Sequence, residues 1–212
     1  MNTEIMKNNI ILIDSQNPDS NIIMKTSEIL NSEELVVAPT ETRYGLLGRA
    51  NSTYSIEKLY KVKRRPQTMP TALFVNSIDE ISNHAIMTPN AVKLANKFLP
   101  GPLTLVMKAN CELPPPIIVD NKIGIRYSSS PFIGMLLNEI DFPVTATSAN
   151  LFQAGESSKI SEIVSTFGDE ISLYVDAGEL IGLVSTVVDV STDYPVILRE
   201  GAITEKEIIG LL

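Results

Sequence analysis

In SNIIMKTSEILNS the apolar residues Ile22, Ile23, Ile29 and Leu30 recur near a helical period, the mark of one buried helix face. The unbroken apolar run of ELVVAPT follows and predicts a strand buried on both sides. NSTYSIEKLYKVKRRP predicts a second helix, with Asn51 or Ser52 as its cap and Ile56, Leu59 and Tyr60 as its stripe; Pro66 forces its end. TALFVNS is the next strand. Ala91, Leu94, Ala95 and Phe98 then fall at helical spacing before a Pro-Gly-Pro stop, and LTLVMKA continues as a strand. Beyond a proline-rich loop the pattern predicts strand IGIRY, helix PFIGMLLNEI, strand PVTATSAN, amphipathic helix SKISEIVSTFG, and strands ISLYVDAG, STVVDV and PVILREG. No repeat or low-complexity linker divides the chain. The expected fold is a single α/β domain over residues 1–212, three-layered, with a mixed, twisted open sheet of about seven strands flanked by helices.

Composition narrows the chemistry. With 212 residues, 44% hydrophobic and 20% charged, the chain can bury a substantial core and reads as ordinary globular protein. A net charge of -8 argues against general adhesion to nucleic acid, which needs an extended basic footprint. A local basic site is still allowed. Glu4, Lys7 and a short apolar run at 10–13 ending at Asp14 do not make a secretory leader. No apolar stretch approaches the roughly 20 residues of a membrane span. The one cysteine, Cys111, excludes an internal disulfide framework and fits a reducing compartment, so the cytoplasm is the default. One Cys and one His also exclude a Cys/His zinc site. His84 reads as a solvated loop residue and Cys111, beside three prolines, as an incidental thiol in an extended loop.

In sheets of this kind ligands bind where strands run out into loops. Polar tips follow apolar strands in APTETRYG, around Arg126 in GIRY, in TATSAN ending at Asn150, and at Arg199 in ILREGA. Taken singly each has a plain structural reading, because Thr and Ser cap helices, Asn makes turns and Arg solvates surfaces. Lys58, Lys61, Lys63, Arg64 and Arg65 crowd the end of the second predicted helix. Macrodipole compensation explains some of that charge. The excess points to an anion, and nucleotide phosphates are the natural candidates. Neither a Walker A sequence nor G-x-G-x-x-G occurs, so a nucleotide would be held by another device.

Together these segments make a resemblance. PTETRYGL at 39–46, YKVKRRP at 60–66, LPGPLTLVMK at 99–108, GIRY at 124–127, TSAN at 147–150, STVVDV at 185–190 and LREGAI at 198–203 resemble, in order, the serial motifs of the YrdC/TsaC family, the threonylcarbamoyl-AMP synthases. They span nearly the whole chain and are similar to the short, single-domain form.

The resemblance implies an enzyme that takes L-threonine, bicarbonate and ATP to threonylcarbamoyl-AMP and pyrophosphate, with Mg²⁺ accompanying the nucleotide and no protein metal ligands identified. Partner proteins would pass the threonylcarbamoyl group to adenosine at position 37 of tRNA, and weak tRNA binding is compatible with it. By the same resemblance Lys63, Arg65, Ser148, Asn150 and Arg199 inherit the nucleotide role, with Lys63 and Arg65 catalytic at a solvent-accessible crevice. Thr42, Arg126 and Ser185 match positions that hold threonine. The chemistry suits the inventory. A carboxylate attacking an α-phosphorus needs neutralised charge and alignment, and no enzyme nucleophile. A planar guanidinium at Arg126 suits a carboxylate.

The chain also departs from the family. Phe74 stands where many relatives have histidine, Met69 where they have Asn or Lys, and Arg43 where a small apolar residue is usual. Glu156 falls near a serine that relatives offer to the nucleotide, with Ser157 as the replacement candidate. The alternatives are an RNA-binding module, whose affinity would fall steeply with salt, and a related enzyme that carbamoylates or carboxylates another small molecule.

Overall fold

A computed structural model describes residues 9–212; the reading of Glu4 and Lys7 lies outside them. The chain runs β1 (Ile10–Leu12), α1 (Ser20–Asn31), β2 (Val36–Pro39), β3 (Tyr44–Leu47), α2 (Thr53–Lys63), β4 (Ala72–Val75), β5 (Ala85–Ile86), α3 (Pro89–Phe98) and β6 (Leu103–Ala109). It continues with β7 (Lys122–Tyr127), α4 (Pro131–Glu139), β8 (Val144–Ser148), α5 (Ile160–Phe167), β9 (Leu173–Asp176), β10 (Thr186–Asp189), β11 (Val196–Arg199) and α6 (Glu205–Ile209).

Helices α1, α2, α3 and α6 open on a side-chain cap. Ser52 accepts from the Ser55 amide to open α2, Thr88 accepts from Ala91 to open α3, and Thr204 and Glu207 close a capping box on α6. The strands form one mixed sheet in the order β1-β9-β2-β3-β8-β4-β7-β6-β10-β11, with β5 paired to β6. The described residues therefore hold 11 strands, more than the pattern predicted. β1 is a three-residue run, β5 has two residues, and β3 hides inside the motif read as a polar tip.

Side chains alternate between the two faces of the sheet, and the faces differ. Leu73, Val75, Leu103, Leu105, Ile123, Ile125 and Val188 join α2, α3, α5 and α6 in one core. On the opposite face α1 and α4 bury Val36, Ala38, Val144, Leu173 and Val175 beneath Ile23, Leu30, Phe132 and Leu136. Burying a side chain the size of Phe132 or Leu136 contributes about 2 kcal/mol. That second core draws nothing from β6, β7, β10 or β11. The sheet is thus three layers deep over one half only, and the uncovered half is where a ligand can reach it.

Candidate functional site

The uncovered half carries a cross-strand row. Phe74 on β4 pairs with Arg126 on β7, Arg126 with Thr104 on β6, Thr104 with Val187 on β10, and Val187 with Arg199 on β11. Directly opposed residues project to the same face, so register alone brings Arg126 and Arg199, 73 positions apart by number, onto one surface. The adjacent row is small and apolar, with Ala72, Gly124 and Val106. A Cβ on Gly124 would lie 3.0 Å from the Ala72 Cβ, so the floor there is as shallow as backbone allows. These rows line a cavity of about 580 Å³. Thr42, Arg65, Arg126, Ser148, Ser185 and Arg199 all reach it, which is most of the predicted set.

Four arginines line that space, Arg43, Arg65, Arg126 and Arg199. Burial holds Arg199 below the ordinary arginine range, the charges of Arg126 and Arg65 push it further down, and Glu156 opposes them. Arg126 is held from behind. Its Nη2 donates to Glu41 Oε1 at 2.8 Å and to Thr42 Oγ1 at 2.6 Å, and Ser128 Oγ donates to the other oxygen of Glu41. The Arg126 Nε is buried and finds no partner among the described residues. Its guanidinium lies over the Phe74 ring, 5.6 Å from the centroid. Thr42 and Thr40 hydroxyls sit 3.0 Å apart, and Thr40 Oγ1 also binds the Arg43 carbonyl at 2.6 Å, which fixes the β2–β3 turn. Ser185 Oγ accepts from Arg199 Nη2 at 2.9 Å.

The basic cluster divides rather than converging. Lys58 pairs with Glu34 at 2.5 Å, while Lys61 and Arg64 are exposed. Arg64 takes a left-handed conformation at φ 51 to terminate α2, and this reversal sends Arg65 into the cavity. There Arg65 donates to the Pro70 carbonyl at 2.8 Å, closing the 66–70 loop. Lys63 goes the other way. It is 1% exposed, and its ammonium donates to the Ser148 carbonyl and, at 2.8 Å, to the Asn150 carbonyl. Burial pushes it down to about 7, helped by the Arg65 charge and opposed by Glu156. The expected solvent-accessible Lys63 is therefore corrected: the side chain braces the 148–150 corner from behind and does not line the cavity.

Asn150 is likewise absent from the lining. Its Oδ1 accepts from Ser148 Oγ at 2.5 Å and its Nδ2 donates to the Leu151 and Ala154 carbonyls at 3.0 and 2.6 Å. These bonds stitch the following loop and leave Ser148 as the corner's exposed member. Ser157 bonds Glu162 and the Lys159 backbone at the start of α5, so it does not replace the missing serine. Glu156 faces the cavity instead. Phe74, Met69 and Arg43 line it too. Arg43 reaches from the turn to the Leu180 carbonyl at 2.7 Å. His84 is half-buried rather than solvated, its carbonyl accepting from Asn110.

The pattern reading missed Thr40, Glu41, Thr71, Thr104 and Lys122. The period-two alternation of LTLVMKA and KIGIRY could have found Thr104, because Leu103 and Leu105 point into the core on either side of it. Lys122 pairs with Asp189 at 2.7 Å, at the end of the cavity away from Arg126.

An α/β domain whose open sheet face presents convergent guanidiniums and hydroxyls has the chemistry to bind small polyanions and carboxylates. Residues 28–201 match the Sua5/YciO/YrdC family model, which carries the description "Telomere recombination", and the chain belongs to that family. It is similar to the threonylcarbamoyl-AMP synthase of Bacillus subtilis, 32% identical over 90% of this chain and 56% of the relative. It is also similar to a putative threonylcarbamoyl-AMP synthase of Methanocaldococcus jannaschii, 31% identical over 93% of this chain and 95% of the relative. Among solved structures, Sua5 of Pyrococcus abyssi complexed with L-threonine superposes with a TM-score of 0.87 at 28% identity, covering 96% of this chain and 61% of that one. The chain thus spans little more than half the length of the Bacillus relative and nearly all of the Methanocaldococcus one.

Proposed function

We propose that this chain condenses L-threonine, bicarbonate and ATP into threonylcarbamoyl-AMP and pyrophosphate. The observation that carries the reading is the cavity itself, whose lining brings Arg65, Ser148 and Arg199 together with Thr42, Arg126 and Ser185. A nucleotide and an amino acid would meet between them. The names of the relatives and the L-threonine in the Pyrococcus structure support the same pairing.

The threonine amine would first take up bicarbonate, losing water to give a carbamate. One carbamate oxygen then attacks the α-phosphorus as the bond to the bridging oxygen breaks, and pyrophosphate leaves with the electron pair. This chain's part is positioning and charge. Arg126, backed by Glu41 and Thr42, would grip the threonine carboxylate with its guanidinium. Thr42 and Ser185 would read the hydroxyl and amine. Arg65 and Arg199 would neutralise the phosphates, and Ser148 would hold a phosphate or ribose oxygen. Lys63 and Asn150 would act by holding that corner in place.

Mg²⁺ would enter with ATP and offset phosphate charge. The described residues contain no group of three or more Cys, His, Asp or Glu that could cage it, so its ligands would be mainly phosphate oxygens. Partner proteins would transfer the threonylcarbamoyl group onward to tRNA. No helix among the described residues is long and apolar enough to cross a membrane; a cytoplasmic location rests on the single cysteine. The decisive assay is pyrophosphate release with each of the twenty amino acids, with and without bicarbonate. Release that needs threonine and bicarbonate together is expected, and release indifferent to either refutes the reading.

A further inference from the structure

Between β9 and β10 the chain makes its longest crossing of the sheet, for β10 stands seven places from β9 in the strand order. Residues 177–185 make that crossing without helix or strand and pass the β2–β3 turn on the way. Hydrogen bonds tie the two ends of this link. At its start the Tyr44 hydroxyl donates to the Gly178 carbonyl at 2.6 Å and accepts from the Ala177 amide at 3.0 Å. Arg43 Nη1 then donates to the Leu180 carbonyl at 2.7 Å, and the Leu180 amide donates to the Ser158 carbonyl at 2.9 Å. At the far end the Ala202 amide donates to the Val184 carbonyl at 2.8 Å.

The middle of the link is held differently. Residues 181–183 make no hydrogen bond among the described residues. Ile181 and Leu183 are 79% and 65% exposed, so apolar burial does not pin them either. What holds them is the approach of one backbone to another. A Cβ on Gly182 would lie 2.7 Å from the Thr42 carbonyl oxygen, 3.2 Å from the Thr42 Cα and 3.3 Å from the Glu41 carbonyl oxygen. Gly182 does not have a positive φ, unlike Gly178 at φ 82, so glycine serves there for space and not for conformation. The contact joins two walls of the cavity, because Thr42 reaches it from the turn while Val184 and Ser185 reach it from the link.

We propose that Gly182 is a positioning residue for the amino-acid end of the site. Its missing side chain lets the link rest on the Thr42 backbone, and that contact sets the separation of Thr42 and Ser185, the two hydroxyls assigned to the substrate's hydroxyl and amine. The identity of the amino acid rests on the proposed function, and the test below separates the two. In Gly182→Ala the new methyl and the Thr42 carbonyl must part by about half an ångström to regain ordinary contact. A shift of that size is enough to misalign a bound substrate.

L-threonine and ATP are titrated calorimetrically, each alone, into the native full chain, Gly182→Ala and Tyr44→Phe. Gly182→Ala should weaken threonine roughly tenfold and ATP by less than about twofold. Tyr44→Phe, which frees the start of the link from β3, should weaken threonine about threefold and again spare ATP. A merely structural role would lower the number of competent sites and leave the dissociation constant of the remaining sites unchanged. An unchanged threonine constant in Gly182→Ala overturns the proposal, as does equal weakening of threonine and ATP. Should Gly182→Ala fail to fold, Tyr44→Phe decides by the same criterion. Native protein that binds threonine yet releases no pyrophosphate with ATP and bicarbonate refutes the proposed function and leaves the affinity ratio readable. Native protein that binds no threonine overturns both.

Discussion

Lys63 is the sharpest test of how the site is built, because its ammonium is 1% exposed and held by carbonyls rather than by a carboxylate. Consider Lys63→Met, which keeps the length and apolar bulk but removes every donor. With the amine neutral in both folded and unfolded states, stranding the Ser148 and Asn150 carbonyls costs roughly 2–5 kcal/mol. Protonation modifies that figure. Burial sets the folded group at about 7, against an ordinary value of 10.5. Between those values the unfolded chain binds a proton that the folded chain does not, so native stability rises with pH in that window. Below about 7 both states are charged and the full burial penalty is present; methionine has no such dependence. The slope for one proton is about 1.4 kcal/mol per pH unit. From pH 8 to 9.5 the stability of native protein relative to Lys63→Met should therefore grow by about 2 kcal/mol. Urea unfolding of both proteins at the two pH values measures it. A difference that stays flat would mean the ammonium remains charged inside the corner, and the argument from burial would fail.

Arg65→Ala should abolish pyrophosphate release while changing stability by less than about 1 kcal/mol, since its bonds to the 66–70 loop lie near the surface; native turnover would remove it from the catalytic set. Arg126→Ala strands Glu41, whose side chain is only 14% exposed, and should cost about 3–5 kcal/mol. Combining Arg126→Gln with Glu41→Gln should recover most of that in thermal melts without recovering threonine dependence; an equal loss for ATP and threonine would place Arg126 on the nucleotide instead. Phe74→His puts a polar group beneath Arg126 and should raise the preference for threonine over valine by roughly fivefold or more, because sites that bond a hydroxyl reject its absence strongly. Competition kinetics with unchanged preference would show that Phe74 lies outside the reach of the substrate side chain.

Much of this architecture can be read from residue order, because burial on one face imposes a period. All the helices of the pattern reading and the strands β2, β4 and β6 to β11 stand where their apolar spacing puts them. The exceptions β1, β3, β5 and the five-residue helix α6 share a cause: each is too short, or too rich in turn residues, to display a period. β3 is the instructive one. Tyr44 and Leu46 face one core and Leu47 the other, yet the segment follows Thr-Glu-Thr-Arg directly and reads as the continuation of a loop. Glu41 was invisible for a related reason, since nothing local to residue 41 announces that β7 will bring Arg126 to within 2.8 Å of it.

The basic run at 58–65 shows how local sequence can suggest the right chemistry for the wrong reason. Density of charge pointed to an anion there, but α2 ends in between and deals its cations to different surroundings. Lys58 faces Glu34 and Lys63 faces backbone oxygens, so Arg65 alone carries the run's charge into the cavity. The remaining positive charge arrives with Arg43 from the β2–β3 turn, and from β7 and β11 through a register of five strands. Under the proposed function, an acidic chain with a net charge of -8 would hold a triphosphate without an extended basic surface. The arginines need only converge where the sheet is left without its second layer of helices, in a space sheltered enough for each to count. On this view removing the positive charge of exposed Lys61 or Arg64 would do nothing for ATP, whereas moving the register of β10 by one residue would turn Val187 into the core and displace Arg199 from the site.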